Sequence, residues 1–305
     1  MRCRKCGENA VIYISQHNIA LCEQHFDDFF LDRVRKAIGK YRLFPKNARI
    51  LVAVSGGKDS LAIWDVLNRL GYRADGLHID LGIGEYSMKS RNTTESFASE
   101  KGYKLIVVDV RDYLEGFTVP LAAKKLRRAT CSLCGLVKRY IMNRVGLEEG
   151  YDVLVTGHNM DDEAATLLGN IINWQVGYLT RQKPLLEKRH EKFIPKAKPL
   201  IYLTEREVAA YAIMRGINYV EEECPNAHGA TSLEYKALLN ELERKHPGTK
   251  HRFYHTFLGL NLSFDGVDTS RDVKLNSCEI CGYPTTERVC AMCRVRERLS
   301  RLRGE

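Results

Sequence analysis

Between residues 48 and 225, short apolar runs rich in β-branched residues alternate with helix-like stretches. The apolar runs predict strands over 49–57, 75–82, 104–110 and 151–159, and the stretches between them predict helices over 60–71, 93–102 and 161–173. This alternation predicts an α/β fold, with a parallel sheet covered by helices on both faces. Ligands of such sheets bind at the carboxyl ends of the strands.

Two polar turns, SGGKDS and TGHNMDDE, follow predicted strands. The first of them, Ser55–Ser60, predicts a phosphate-binding loop. Its two glycines let main-chain N–H groups approach phosphate oxygens, and the N-terminus of the next helix adds partial positive charge. Lys58 supplies a cation, the serine hydroxyls supply donors, and Asp59 is suited to a magnesium ion. The loop lacks the spacing of a Walker A motif. An ordinary glycine turn before a helix is the alternative interpretation.

Most of the ten cysteines lie in closely spaced pairs near the two ends of the chain. Such pairs in a cytoplasmic chain favour metal ligands over disulfides. The first group is Cys3, Cys6, Cys22 and His25, and the second is Cys278, Cys281, Cys290 and Cys293. Each group predicts a tetrahedral zinc site with no open position, and therefore a structural role. Unpaired surface thiols are the alternative.

Three further cysteines lie in the middle of the chain, at Cys131, Cys134 and Cys224. Three thiols suit a [4Fe–4S] cluster in which one iron keeps a free coordination position. They also suit a redox-active pair with a persulfide on the third cysteine. Inert buried thiols remain a further alternative.

The chain carries a basic surplus, with 47 Lys and Arg against 38 Asp and Glu and a net charge of +9. Such a surplus favours an anionic partner, nucleic acid above all, although charge for solubility alone is the alternative. The C-terminal arginines expected to face phosphates are Arg294, Arg296, Arg298, Arg301 and Arg303. A solvated helix face is the other interpretation of that run.

We expect three domains: an N-terminal zinc module over 1–35, an ATP domain over 36–265 and a C-terminal zinc module over 266–305. A linker helix and turn is predicted over 34–47, and a helix end and loop over 240–265. No apolar run has the length of a bilayer span, and the N-terminus lacks the apolar core of a signal peptide. The prediction is a cytoplasmic protein without a membrane partner.

The SGGKDS loop resembles that of the N-type ATP pyrophosphatases, which split ATP between its α and β phosphates and adenylate their substrate. Together with HIDLGIGEYS, CSLCGLVKR, TGHNMDDEA, ECPNAHGA and both cysteine modules, it makes nearly the whole chain resemble the tRNA thiolation enzymes of that superfamily. The likeness is greatest to the two-zinc-finger group that makes 2-thiouridine at position 54 of tRNA. The enzymes that thiolate wobble uridine 34 share much of the pattern and are the alternative.

The resemblance implies a reaction in two steps. The uridine C2 oxygen attacks the α-phosphate of ATP and expels pyrophosphate, and sulfur then displaces AMP. The three central cysteines would hold a [4Fe–4S] cluster whose fourth iron binds the sulfur. A ubiquitin-like carrier with a Gly-Gly thiocarboxylate would supply that sulfur, and the protein would form a homodimer. The predicted ATP-binding residues are Ala53, Val54, Ser55, Gly56, Gly57, Lys58, Asp59, Ser60, Ile79, Lys138 and Gly157.

Two residues are predicted to be catalytic. Lys138 follows Cys134 by one helical turn and is expected to lie over both cluster and nucleotide. Asp161 follows the TGHN turn and is expected to position magnesium or the uridine. A solvated helix lysine and a helix N-cap are the respective alternatives. Competing functions are an amide-forming or lysine-adding enzyme on the same loop, and an RNA-binding zinc protein with a relic loop.

Overall fold

The computed structural model describes residues 1–226, 231–260 and 275–303. The chain starts with a short antiparallel hairpin, β1 (Ile12–Ile14) and β2 (Ile19–Leu21), and continues into the long helix α1 (Glu23–Lys40). The helix buries Phe26, Phe30 and Val34, which recur at four-residue spacing, in the main hydrophobic core. The linker helix predicted from residue 34 is therefore the end of a longer helix that begins at Glu23.

A six-stranded sheet forms the centre of the molecule, in the strand order β5-β4-β3-β6-β8-β7. All neighbouring strands are parallel except β7, which pairs antiparallel with β8 at one edge. The strands are β3 (Arg49–Ala53), β4 (Arg73–Asp80), β5 (Leu105–Asp109), β6 (Val153–Thr156), β7 (Leu185–Leu186) and β8 (Lys196–Ala197). The predicted α/β fold is confirmed, and the edge pair β7–β8 was not predicted.

Helices cover both faces of the sheet. Along β3, Ile50 and Val52 face one apolar core and Leu51 faces the other, as the alternation of a strand requires. The helices of the central region are α2 (Lys58–Arg69), α3 (Gly84–Lys101), α4 (Val119–Lys125), α5 (Thr130–Glu148), α6 (Met160–Ile172), α7 (Val176–Leu179), α8 (Glu205–Met214), α9 (Thr231–Lys245) and α10 (Thr249–Gly259).

Two helices differ from the sequence prediction. Helix α3 begins at Gly84, after the N-cap Ile83, nine residues before the predicted start at 93. Its first turns are largely polar, and an apolar pattern does not reveal such turns. The predicted helix end and loop over 240–265 is wrong in part: α9 does end at Lys245, but α10 follows it after a short turn at Pro247 and Gly248. Helix α10 packs on α6, and its fully buried Tyr254 joins the main core.

The C-terminal module consists of the short pair β9 (Asn276–Ser277) and β10 (Pro284–Thr285), followed by helix α11 (Ala291–Arg303). Met292, Val295 and Leu299 of α11 join the second core, against α4 and α5. The predicted boundary at 265–266 and the side chain of Arg303 lie outside the described residues. Among the described helices, none combines the length and the apolar character needed to cross a membrane.

Candidate active site

The loop between β3 and α2 curls tightly around its own serines. Ser60 Oγ accepts a hydrogen bond from the Ser55 amide at 3.1 Å and donates to the Gly57 carbonyl at 3.0 Å. Gly56 has a φ of 77°, in the left-handed region, and a Cβ there would lie 2.7 Å from the carbonyl oxygen of Ser90. A glycine is therefore required at this position, and the N-terminus of α2 follows directly.

Three contacts from distant segments hold the loop in place. Ser90 Oγ on α3 donates to the Ser55 carbonyl, and the Val220 amide donates to the Gly56 carbonyl at 2.9 Å. On β4, the strand that pairs with β3, His78 Nδ1 lies 3.1 Å from the Val54 carbonyl. Because Val220 lies four residues before Cys224, the same contact fixes the segment that carries the third central cysteine.

The turn after β6 packs directly on this loop. A Cβ on Gly157 would lie 2.8 Å from the carbonyl carbon of Asp59, so only glycine fits there. Asn159 is the N-cap of α6, and its Nδ2 donates to Asp59 Oδ1 at 2.9 Å. The Asn159 backbone amide also donates to Asp162 Oδ2 at 3.0 Å. Asn159 therefore joins two carboxylates at the loop.

A cavity of about 620 Å³ lies over the loop at the carboxyl ends of the strands. Helices α3 and α5 and the segment before α9 complete its walls. The predicted residues that line it are Ala53, Val54, Ser55, Gly57, Asp59, Ser60, Ile79, Cys134, Lys138, Gly157 and Cys224. The cavity thus brings the predicted phosphate loop together with two of the three central cysteines and with Lys138.

Lys58 does not line the cavity but joins a network of charges beside it. Its Nζ lies 2.8 Å from Glu205 Oε1 on α8 and 3.1 Å from Asp59 Oδ2. Burial alone would lower the pKa of Lys58, but these carboxylates outweigh burial and raise it. Lys236 on α9 continues the network, at 2.6 Å from Asp162 and 3.2 Å from Glu205.

Asp161 lies outside the cavity lining. Its carboxylate pairs with the Lys250 ammonium on α10, and both side chains are about nineteen-twentieths buried, at 5% and 6% exposure. The other carboxylate oxygen accepts a hydrogen bond from the Glu205 amide at 3.0 Å. Asp161 is not the N-cap of α6 either, since Asn159 takes that position. The geometry joins α6, α8 and α10 through Asp161 and does not aim its carboxylate at the cavity.

The central cysteines lie in two segments that contact each other. Cys131 and Cys134 are in the first turns of α5, and Cys131 Sγ donates to the Asn226 carbonyl at 3.0 Å, next to the Cys224 segment. Burial raises the pKa of the Cys134 thiol, and Cys224 and Cys131 add to the rise, while Lys138 opposes it. The ligand atoms of the three are not all within 4.8 Å of one another, in contrast to the terminal groups.

In each of the two terminal Cys/His groups, the four possible ligand atoms lie close together. The four ligand atoms of Cys3, Cys6, Cys22 and His25 lie within 4.8 Å of one another, as do those of Cys278, Cys281, Cys290 and Cys293. In the second group the Cys290 amide donates to Cys278 Sγ at 3.3 Å, and the Cys293 amide donates to Cys290 Sγ at 3.4 Å. This soft, amide-supported donor set fits a tetrahedral zinc ion.

The C-terminal arginines are only partly free to meet phosphates. Arg294 pairs with Glu287, and Arg296 Nε lies 2.9 Å from Glu115 Oε1. Arg298 and Arg301 are exposed on α11.

Several cavity residues were not among the predicted site residues, although Tyr86 and Arg139 lie within the motifs HIDLGIGEYS and CSLCGLVKR. Ser90 and Tyr86 come from α3, Arg139 from α5, and Lys196 and Lys198 from β8 and the residues after it. Lys198 Nζ lies 2.7 Å from the buried Glu163 carboxylate. Burial and the nearby Arg139 lower the pKa of Lys196. Only the pairing of β8 beside β6 brings these lysines to the cavity, and the two-residue strand is too short for periodicity to reveal it.

Comparison with known proteins agrees with this geometry. Residues 2–27 match the model of the N-terminal LIM domain of the 2-thiouridine synthetase TtuA, and residues 27–230 match the PP-loop domain. The chain is 50% identical to a tRNA-5-methyluridine(54) 2-sulfurtransferase of Thermus thermophilus over 97% of this chain and 91% of that protein. The chain belongs to the PP-loop tRNA 2-sulfurtransferase family. The family resemblance predicted from the motifs is thereby confirmed.

Other members of the family extend this agreement. A tRNA-5-methyluridine(54) 2-sulfurtransferase of Thermotoga maritima is 45% identical over 100% of this chain and 99% of that one. The structure of the U34-tRNA thiolase NcsA from Methanococcus maripaludis with its [4Fe-4S] cluster is 28% identical and superposes with a TM-score of 0.80. The superposition covers 97% of this chain and 96% of that one. This chain therefore shares the architecture of that thiolase over nearly its full length.

Proposed function

We propose that this protein thiolates a tRNA uridine at C2, using ATP to activate the oxygen that sulfur replaces. One observation carries the proposal: a single cavity is lined by the phosphate loop, by Lys138 and by two of the three central cysteines. Activation and sulfur transfer at the same carbon atom need their groups within reach of one bound base. An ATP enzyme that formed an amide would have no use for these thiols.

In the first step the uridine C2 oxygen attacks the α-phosphorus of ATP, pyrophosphate leaves, and the base loses its N3 proton. The developing charge on pyrophosphate meets the loop amides and the N-terminus of α2. Lys138, which lines the cavity from α5, supplies a cation for the oxygens of the α-phosphate. Lys58 acts beside the cavity, where its ion pairs with Asp59 and Glu205 fix the loop.

A magnesium ion would fit at the edge of the loop. Asp59 and Asp162 both line the cavity, and Asn159 hydrogen-bonds to both carboxylates. Paired carboxylates with room for water and phosphate oxygens are what Mg²⁺ prefers. Burial raises the pKa of Asp59, and the ammonium of Lys58 opposes the rise. We assign Asp161 a positioning role, since it holds α8 and its Glu205 in place.

Cys131, Cys134 and Cys224 fit a [4Fe–4S] cluster, because they lie on two segments that contact each other, and Cys134 and Cys224 line the cavity. Such a cluster would supply an open iron position that holds sulfide close to the activated base. Hydrosulfide then adds at C2, AMP departs, and N3 regains a proton. Lys138, one turn from Cys134 on α5, serves both halves of the reaction by neutralising the AMP phosphate as it leaves.

We propose position 54 of tRNA as the target. Support comes from the 50% and 45% identity to the two position-54 sulfurtransferases, against 28% to the U34 thiolase. We further propose a ubiquitin-like thiocarboxylated carrier as the sulfur donor, a homodimeric state and a cytoplasmic location. Two structural zinc ions would hold the terminal modules, whose cysteines also pack into the two cores.

Anaerobic purification with metal analysis tests the sulfur half of the proposal. We expect a brown protein with four irons and two zincs per chain, following the donor sets. Cys134→Ser should lose the iron and the colour while it keeps both zincs and its fold. A colourless wild-type protein that thiolates tRNA at full rate would refute the cluster and leave the persulfide mechanism.

Mapping of 2-thiouridine by mass spectrometry tests the target. In a strain that lacks this protein, we expect 2-thiouridine to disappear from position 54 and to persist at position 34. The opposite pattern would make the protein a wobble-uridine thiolase.

A further inference from the structure

A second cavity, of about 740 Å³, lies beside the ATP cavity. We call it the module cleft, because the C-terminal module forms one wall through Tyr283–Thr286 and Cys290–Met292. Helix α5 forms the second wall, and the segment 180–196 forms the third. Lys192 Nζ on that segment donates to the Gly282 carbonyl at 3.1 Å, which ties two of the walls together.

The module cleft is strongly basic. Against one acidic side chain, Glu187, its lining has six cationic residues: Arg139, Arg181, Lys183, Lys188, Arg189 and Lys196. None of these six makes an ion pair within the described part of the chain, although the exposed Arg35 and Lys89 do. Unpaired like charges that share one concave surface repel each other, so the arrangement favours a polyanion as occupant.

Aromatic rings line the same cleft. Tyr283 of the module lies with its ring centre 4.8 Å from that of Tyr140 on α5 and 5.7 Å from that of Phe193. Phe193 and Tyr283 are partly exposed to the cleft. A groove that combines cations with aromatic faces suits single-stranded nucleic acid, since phosphates meet the cations and unstacked bases meet the rings.

The module cleft and the ATP cavity share part of their walls. Arg139, Leu186 and Lys196 line both. Lys196 and Arg139 lie on the wall that the two cavities share, and burial together with Arg139 lowers the pKa of Lys196. A phosphate placed between them would compensate both charges and bring the neighbouring base to the ATP cavity.

We propose that the module cleft binds the RNA strand adjacent to the target uridine and leads that base into the ATP cavity. This inference rests on the proposed function, because the strand is that of the tRNA substrate. The C-terminal tail of a carrier protein is the competing occupant. A tail of that kind brings a single carboxylate, whereas six cations suit several consecutive phosphates.

Binding of an unmodified tRNA transcript tests the proposal. The cleft variant is Arg181→Ala with Lys183→Ala and Arg189→Ala, and none of these three residues lines the ATP cavity. The matched control removes three cations from the opposite, amino-terminal edge of the sheet: Arg73→Ala, Lys101→Ala and Lys104→Ala. Affinity is measured over a salt titration, together with ATP binding in the absence of tRNA and zinc content.

We expect the cleft variant to bind tRNA at least about tenfold more weakly, with the salt slope reduced by about 2 to 3, which is roughly one per lost phosphate contact. The control should keep the wild-type affinity and slope, and both variants should bind ATP and zinc normally. A cleft variant with wild-type affinity and slope overturns the proposal. The proposal is also overturned if the cleft variant keeps its tRNA affinity, loses thiolation when a thiocarboxylated carrier supplies the sulfur, and keeps thiolation with inorganic sulfide. The cleft would then bind the carrier. A wild-type protein without affinity for tRNA would instead refute the proposed function itself.

Discussion

Gly157 packs against the backbone of Asp59 so closely that a Cβ on Gly157 would lie 2.8 Å from the Asp59 carbonyl carbon. Two strands that are neighbours in the sheet, β3 and β6, thus end in turns that touch each other. The turn after β6 packs against the phosphate loop, and Asn159 in this turn also orients the Asp59 carboxylate. The loop geometry therefore depends on a residue almost a hundred positions away.

Gly157→Ala should impair the ATP step without unfolding the protein. The added methyl group must push the Asp59–Ser60 backbone away, and a shift of about 1 Å at a positioned reacting group lowers the rate by about 10²-fold. AMP formation in the presence of tRNA measures the effect. Gly177→Ala is the control, because nothing lies within 4 Å of a Cβ there. Equal rates for the two variants would show that the contact does not position the loop.

Lys138→Ala should reduce AMP formation by about 10² to 10³-fold, the usual cost of removing one positioned charge donor from a transition state. Its place on the cavity wall beside Cys134 predicts that iron content and tRNA affinity stay near the wild-type values. Lys124→Ala on α4 removes an exposed lysine and serves as the control. A Lys138→Ala protein with full thiolation activity would restore the interpretation of a solvated helix lysine.

The buried pair of Asp161 and Lys250 should matter for stability. Asp161→Asn or Lys250→Met leaves one charge buried without its partner, which costs about 3 to 5 kcal/mol. Urea titrations should show that loss for each single variant and a smaller loss for the double variant than for the two singles together. Breaking the exposed pair of Glu241 and Arg244 should leave the free energy of unfolding unchanged within the error of the titration. Additive losses at the buried pair would contradict a direct coupling.

Acid should destabilise the protein partly through His255. Burial lowers the pKa of His255 to about 3, and His251, Lys40 and Lys36 add to the effect. The ring also stacks on Tyr202, with ring centres 4.3 Å apart, and its Nδ1 lies 3.5 Å from the Tyr41 hydroxyl. The unfolded chain binds a proton near the ordinary pKa of about 6.5, and the folded chain does so only near the lowered value. The contribution of neutral His255 to the free energy of unfolding is therefore fully present above a pH of about 6.5 and is lost as the pH falls towards about 3.

The His255→Gln variant tests this assignment. The drop in the urea midpoint between neutral pH and pH 5 should be smaller in this variant than in the wild-type protein. His246→Gln, an exposed histidine, is the control and should keep the wild-type dependence. An identical drop in all three proteins would assign the acid sensitivity to other groups.

Local patterns were enough to predict the centre of the fold and the loop. The apolar run before Ser55, the glycine pair and the helix after it are all neighbours in sequence, so periodicity and turn chemistry identify them. The ion pair of Lys58 with Glu205 and the pair of Asp161 with Lys250 join residues 147 and 89 positions apart. No short-range pattern encodes such contacts. The hypothesis that Asp161 enters the cavity came from its position after the TGHN turn, and only the packing of α10 shows where its carboxylate points.

The central claim is that ATP cleavage and sulfur insertion occur at one base in one cavity. The direct measurement is the ratio of AMP released to 2-thiouridine formed, with an unmodified tRNA transcript, ATP and inorganic sulfide under anaerobic conditions. We predict one AMP and one pyrophosphate for each 2-thiouridine, all of it at position 54, and no AMP without tRNA. Thiolation without AMP, or AMP released without tRNA at the same rate, would contradict the account.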